Sequence, residues 1–197
     1  MATRSRDVME LDVLTVGEAM VLLAAEEPGA LEDVEHFRRF GAGAELNVAL
    51  GLARLGLRVG YLSRVGDDSF GRFLGRLLAR EGIARDFLAT DAWSSTGFML
   101  KGRCSDGRDP AIDYYRRASA ASRMDVHDLV RARPARARHL HLTGITPGLS
   151  KGCRELVFAL AHGARAVGRT LSFDPNLRPR LWDSREAMVT TVNALAR

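Results

Sequence analysis

Cysteine is scarce. The 197 residues hold two, Cys104 and Cys153, with no short spacing between them. That excludes a disulfide framework and a zinc site built on cysteine pairs, and it fits a reducing cytoplasm. Long apolar runs are absent: no stretch of about 18 or more apolar residues occurs, so no membrane-spanning helix is read. Residues 1–10 are polar and charged without an apolar signal core, and are read as a disordered N-terminus rather than a secretion signal. Lysine is nearly missing, since Lys101 and Lys151 are the only two. Neither stands in a phosphate-loop motif, and no serine nucleophile elbow, internal repeat or low-complexity tract is found. The net charge of +5 is therefore carried by arginine. The densest run is Arg131-Ala132-Arg133-Pro134-Ala135-Arg136-Ala137-Arg138. No aromatic interleaves with it, so it is read as a solvated connection, and a nucleic-acid partner is the weaker reading.

What is present is a strand–helix alternation. Residues 11–16 are apolar and end at Gly17-Glu18, as a buried strand would. Residues 20–24 could continue that strand or pair nearby, and residues 36–40 form a short strand. The loop Gly41-Ala42-Gly43-Ala44-Glu45-Leu46-Asn47 follows and runs into a helix on which Leu46, Leu50, Ala53 and Leu57 share a face. Small residues let a backbone approach a ligand, and the first-turn N–H groups of the helix are unpaired. A strand over 59–65 and an amphipathic helix through Phe70, Leu74, Leu77 and Leu78 complete the first half. This order predicts an α/β fold, a mostly parallel sheet with flanking helices.

Residues 86–90, 95–103 and 111–116 instead read as short strands separated by turns, which is hairpin chemistry. A small antiparallel β lid is expected, built from about 35–41, 86–103 and 111–117. The alternation then resumes with a strand over 139–143, a helix over 150–168 and a strand over 170–174. Asp183 and Glu186 are spaced as a capping box for a last helix, and the sequence stops at Arg197, inside or just after it. That helix has no strand after it, so residues 11–197 are expected to be the N-terminal portion of one domain whose C-terminal part is missing.

Ligands of open α/β sheets bind beyond the carboxyl ends of the strands. Gly17-Glu18, Thr143-Gly144 and Asp174 to Arg178 lie at such ends, and the small-residue loop joins them. Arg178 offers a planar fork of donors for phosphate or carboxylate, and Asn176 an amide. Glu18 could accept from a ligand hydroxyl, or be an ordinary exposed loop residue. Tyr114-Tyr115-Arg116 could close over a sugar or sugar acid, or simply pack. His139 and His141 share a strand face without an evident third ligand, so no metal site is expected. A dinucleotide fingerprint fails, because Leu46 stands where its third glycine belongs.

Gly43 to Asn47 with Ala49, then Leu55-Gly56 and Val65-Gly66-Asp67-Asp68, resemble the first signature of the ribokinase-like (PfkB) carbohydrate kinases. Tyr114-Tyr115-Arg116, Leu142-Thr143-Gly144-Ile145 and Asp174-x-Asn176-x-Arg178 resemble the sugar-acid branch, the 2-keto-3-deoxygluconate kinases. The resemblance covers the chain from about residue 11 to its end. It implies a cytoplasmic enzyme that transfers a phosphoryl group from ATP, with Mg²⁺, to a primary hydroxyl of the sugar acid. By the same resemblance Gly43, Ala44, Glu45, Leu46 and Asn47 hold the substrate, and Tyr114, Tyr115 and Arg116 approach it from the lid. Arg178 lies between substrate and phosphates, stabilising the transferred group, while Asn176 and Leu177 face the nucleotide. A homodimer through the lid fits its exposed edge.

Two departures stand out. Glu45 replaces a common Gly or Ala, and the family's second signature, a Gly-Ala-Gly-Asp loop carrying the catalytic base, does not occur. The resemblance puts that base beyond Arg197, so no residue of these 197 is expected to serve as it. They are therefore expected not to turn over alone. A kinase of a neutral sugar such as fructose or ribose, and a non-catalytic sugar-binding module, are the alternatives.

Overall fold

The computed structural model describes residues 11–105, 107–132 and 137–197. Residues 1–10, and Arg133 to Arg136 of the arginine run, lie outside the described residues. Of that run, Arg138 is described, with Asp12 at 3.6 Å.

Among the described residues nine strands form two sheets. The larger is wholly parallel and has the order β5-β4-β1-β8-β9. Its members are β1 (Leu11–Val16), β4 (Val59–Gly66), β5 (Leu88–Asp91), β8 (Ala137–Thr143) and β9 (Thr170–Asp174). β1 and β4 are buried along nearly their whole lengths, which explains their near-continuous apolar sequences. Helices α1 (Ala44–Arg54) and α2 (Ser69–Arg80) pack against one face. There Leu46, Ala49, Leu74, Leu77 and Leu78 form a core with Val59, Tyr61 and Val65 of β4. Helices α3 (Leu129–Ala132), α4 (Thr146–Leu149), α5 (Lys151–Ala166) and α6 (Arg185–Ala196) follow in the chain. α5 covers the other face with Leu156, Val157 and Leu160 against Leu14, Leu62, Leu140 and Leu142, and Leu195 of α6 joins them. Each such leucine, fully withdrawn from water, stabilises the fold by about 1.5–3 kcal/mol.

The smaller sheet has the order β3-β2-β6-β7, with β2 (Met20–Ala25), β3 (Phe37–Ala42), β6 (Phe98–Lys101) and β7 (Ile112–Tyr115). This sheet corresponds to the expected lid but adds β2, a segment read as continuing β1 or pairing nearby, as one of its inner strands, and two corrections follow. Its central pair, β2 with β6, is parallel, so the lid is mixed rather than antiparallel. The β2–β3 and β6–β7 pairs are antiparallel. The second correction concerns residues 86–103, of which β5 belongs to the main sheet and runs parallel to β4. Phe87 is the reason. It is 1% exposed and packs close against Gly60, with Leu88 in the opposite core, so both faces of the segment are buried. A free-standing hairpin could not bury both.

The last helix also starts one residue later than the Asp183 spacing predicts. Its N-cap is Ser184, whose Oγ accepts from Ala187 N at 3.1 Å. From there α6 runs to Ala196.

Candidate functional site

The chain crosses between the two sheets four times: at 17–19, at Gly43, along 92–97, and at 116–119. Glu18 sits where these crossings meet. It is 1% exposed, so it is no ordinary loop carboxylate. Its Oε1 accepts from Ser119 Oγ at 2.5 Å, and its Oε2 forms an ion pair with Nη2 of Arg116, itself 11% exposed in its side chain. Burial raises the Glu18 pKa, and the neighbouring Arg116 guanidinium opposes the rise.

Glu45, in the first turn of α1, is equally buried. Its Oε1 accepts from Thr143 Oγ1 at 2.5 Å and Thr146 Oγ1 at 2.7 Å, while Thr15 Oγ1 donates to its backbone carbonyl at 3.3 Å. Burial raises its pKa, with the two threonine hydroxyls opposing. Its carboxyl lies directly over Gly17, where a side chain would overlap it. One glutamate thus joins the α1 N-terminus, the end of β1 and the loop after β8.

A cleft of about 720 Å³ opens between the lid and the loop after β9. Ile112, Asp113, Tyr114 and Arg116 line the lid side, continuing into Arg117 and Ala118. Gly148, Leu149 and residues 178–183 line the other. Trp182 builds that wall by packing against Gly148, with the Arg154 guanidinium 5.1 Å from its ring. Four arginines, Arg116, Arg117, Arg178 and Arg180, face this cleft against two carboxylates, Asp113 and Asp183. Among the described residues the Arg178 side chain donates to the Leu177 carbonyl alone, at 2.9 Å from Nη1, which leaves most of its donor fork open.

The structure therefore brings Tyr114, Arg116 and Arg178 to one cleft. Tyr115 does not join them: its ring stacks on Phe98 with centroids 4.6 Å apart. Leu46 is a correction, because its side chain is fully buried in the core beneath α1 and offers nothing to a ligand. Glu45 likewise spends its carboxylate on the fold. Gly43 and Ala44 are partly exposed and Asn47 is exposed at the start of α1, outside the cleft lining. Asn176 has φ +36° and donates to both Asp174 oxygens, at 3.0 Å from its N and 2.9 Å from Nδ2. Its Oδ1 is buried without a partner. Leu177 is exposed beside it. Arg197, the residue beyond which the base is expected, is not among those lining the cleft.

His139 and His141 share a face as expected and are tied up with hydroxyls: His139 with Thr170 at 2.7 Å and Ser172 at 2.8 Å, His141 with Ser172 at 2.8 Å. Among the described residues no group of three or more His, Cys, Asp or Glu could hold a metal ion, and no helix is long and apolar enough to cross a membrane. Sequence reasoning passed over Ser119, Arg117, Arg180 and Trp182. The pairing of Arg117 with its neighbour Arg116 was the one available signal.

Residues 10–196 match the profile described as pfkB family carbohydrate kinase. The 2-dehydro-3-deoxygluconokinase of Bacillus subtilis (strain 168) is 43% identical over 190 residues, covering 95% of this chain and 58% of that protein. A PfkB protein from Polaromonas sp. JS666 superposes with a TM-score of 0.91 at 50% identity, over 94% of this chain and 63% of its own. A sugar kinase from Pyrococcus horikoshii, solved in complex with ATP, superposes with a TM-score of 0.84 at 27% identity, over 93% and 59% of the two chains. The chain thus spans roughly three-fifths of the length of each of these relatives.

Proposed function

The chain belongs to the pfkB family of carbohydrate kinases, and from that premise we propose that it forms the substrate-recognising part of an ATP-dependent sugar-acid kinase. Its substrate would be 2-keto-3-deoxygluconate or a close analogue. The observation that carries this is the cleft with four arginines against two aspartates. The phosphates of ATP account for part of this charge balance, and a substrate carboxylate would use the remainder, which a neutral sugar would leave unpaired. The 43% identity to a 2-dehydro-3-deoxygluconokinase supports the same substrate class.

In the reaction, the primary hydroxyl oxygen of the sugar acid attacks the γ-phosphorus of ATP. The bond to the β,γ-bridging oxygen breaks, ADP leaves, and the hydroxyl proton goes to a base. Tyr114 and Arg116 would hold the sugar acid from the lid, with Tyr115 backing the lid from behind. Gly43, Ala44 and Asn47 would bound the sugar at the start of α1. Arg178 would bridge substrate and γ-phosphate as the phosphate stabiliser, with Asn176 and Leu177 toward the nucleotide. The described residues offer no protein ligand set for Mg²⁺, which would enter on the ATP phosphates.

The base belongs, by family resemblance, to a Gly-Ala-Gly-Asp loop that the 197 residues do not contain and that would lie beyond Arg197. The chain by itself is therefore expected to bind and not to turn over. Calorimetry should register 2-keto-3-deoxygluconate at least about tenfold more tightly than fructose, since a charged hydrogen bond is worth about 1.5–3 kcal/mol. ADP release should stay at background. Equal affinity for the two sugars would defeat the sugar-acid reading, and ADP release at an enzymatic rate would defeat the expectation of inactivity.

The lid would also pair with a second copy. β3 is its edge strand and exposes Phe40, and β7 at the other edge exposes Ile112 and both tyrosines. Light scattering is expected to report a dimer that Phe40→Lys weakens. A monomer at high micromolar concentration would remove this part.

A further inference from the structure

The sequence leaves Glu18 as either an acceptor for a ligand hydroxyl or an ordinary loop carboxylate, and the kinase reading gives it no task. Its surroundings are unusual. Every one of the four segments that cross between the sheets touches it. The first contains Glu18 itself. At the second, Gly43 passes so close that a side chain there would overlap the Glu18 carbonyl. At the third, a Cβ on Gly97 would stand 2.5 Å from Glu18 Oε1. At the fourth, Arg116 and Ser119 both bind its carboxylate.

We propose that Glu18 is the clamp of the lid: its carboxylate ties the entry of the lid at 17–19 to its exit at 116–119, and thereby holds the Arg116 guanidinium at the cleft wall as a positioning residue. The two carboxylate oxygens act on different partners. Oε1 takes the Ser119 hydroxyl and fixes the segment just past β7. Oε2 takes Arg116 Nη2 and fixes which way the guanidinium lies. Arg116 lines the cleft beside Tyr114, with its Cζ 5.9 Å from that ring, so a guanidinium held by Glu18 is already oriented when an anionic ligand arrives. Neither neighbour could substitute for the carboxylate. A hydroxyl carries no charge to hold an arginine, and the crowding by Gly43 and Gly97 leaves no room for a second side chain.

The clamp stands on the contacts above; its effect on sugar-acid affinity rests on the kinase reading, and the test separates them. Glu18→Gln keeps the shape and the Ser119 hydrogen bond but removes the charge. Hydrogen exchange followed by mass spectrometry should then quicken about tenfold in residues 98–101 and 112–119, as the loss of a charged hydrogen bond would give, while β1 and β4 keep their rates. Unchanged exchange in the lid, or the same acceleration in every strand, overturns the clamp. If Glu18→Gln fails to fold, Ser119→Ala tests the same tie, with faster exchange in 112–119 alone expected and unchanged exchange there overturning it.

Affinity for 2-keto-3-deoxygluconate should fall about tenfold in Glu18→Gln, and adding Glu18→Gln to Arg116→Ala should weaken binding no further than Arg116→Ala alone. Additive losses would mean that Glu18 acts on the ligand and not through Arg116. If the unaltered protein binds no sugar acid, the kinase reading fails, and the exchange rates still decide the clamp.

Discussion

Arg116→Ala is expected to lower the free energy of unfolding by about 3–5 kcal/mol at neutral pH, the loss seen when one member of a buried ion pair is removed. The reason lies in what it leaves behind. Glu18 is 1% exposed, and among the described residues the Ser119 hydroxyl is the one other group that binds its carboxylate. Burial already raises its pKa, with the Arg116 charge as the largest opposing influence. Without that charge the rise is larger. A carboxyl whose native-state pKa stands above its unfolded value favours the folded state below the unfolded pKa. That contribution is lost as pH climbs through the native pKa. The deficit of Arg116→Ala should therefore be smaller at pH 5 than at pH 8. Adding Glu18→Gln should recover part of it at pH 8, because the buried charge is gone. Urea unfolding of the two variants at both pH values checks this. An equal deficit at pH 5 and pH 8 would mean that the stranded carboxylate is not its source.

That coupling was not legible in the sequence, and the contrast with what was legible is instructive. α1, α2 and α5 follow from an apolar face that repeats about every 3.6 residues, β8 and β9 from short strand-like runs, and β1 and β4 from near-continuous apolar runs that a sheet covered on both faces requires. β5 escaped because a strand of only four residues carries too little pattern to reveal its partner. What assigns it to the main sheet is Phe87 lying against Gly60, a contact between residues 27 positions apart. Glu18 escaped for a similar reason: a lone carboxylate after a strand says nothing of its burial. Two glycines, a serine and an arginine from distant segments enclose it, and only the folded chain assembles them.

The tyrosine pair is different, since strand geometry alone already divides it. Successive side chains of a strand point to opposite faces, so Tyr114 and Tyr115 could never both line one cleft. Tyr114 and Arg116 share a face and do line it, and Tyr115 turns the other way onto Phe98. The same alternation applied to β8 aligns His139, His141 and Thr143. It thereby separates a polar strip, bonded to β9 and to Glu45, from the leucines that enter the α5 core.

Gly43→Ala is expected to cost about 3–5 kcal/mol, from backbone strain and overpacking together. Gly43 has φ +143° and ψ +138°, a conformation essentially confined to glycine. An added Cβ would also overlap the Glu18 carbonyl oxygen and stand 3.3 Å from Leu46 Cβ. Neither neighbour can retreat. The Glu18 backbone is held between β1 and β2, and Leu46 is locked in the core under α1. The overlap therefore pushes α1 away from the lid entry, along the line that Glu18 and Glu45 hold closed. For a chain of this size the loss should appear as a melting temperature lower by about 10 °C. Gly51→Ala is the matched control: it adds the same methyl within α1, where nothing lies within 4 Å, and should raise stability by about 0.5–1 kcal/mol. If thermal unfolding found the two variants alike, the close passage of Gly43 over Glu18 would not constrain the fold. If they diverge as expected, the loop proposed to bound the sugar owes its glycine first to the junction of sheet and lid, and the exposure of its first-turn N–H groups follows from that junction.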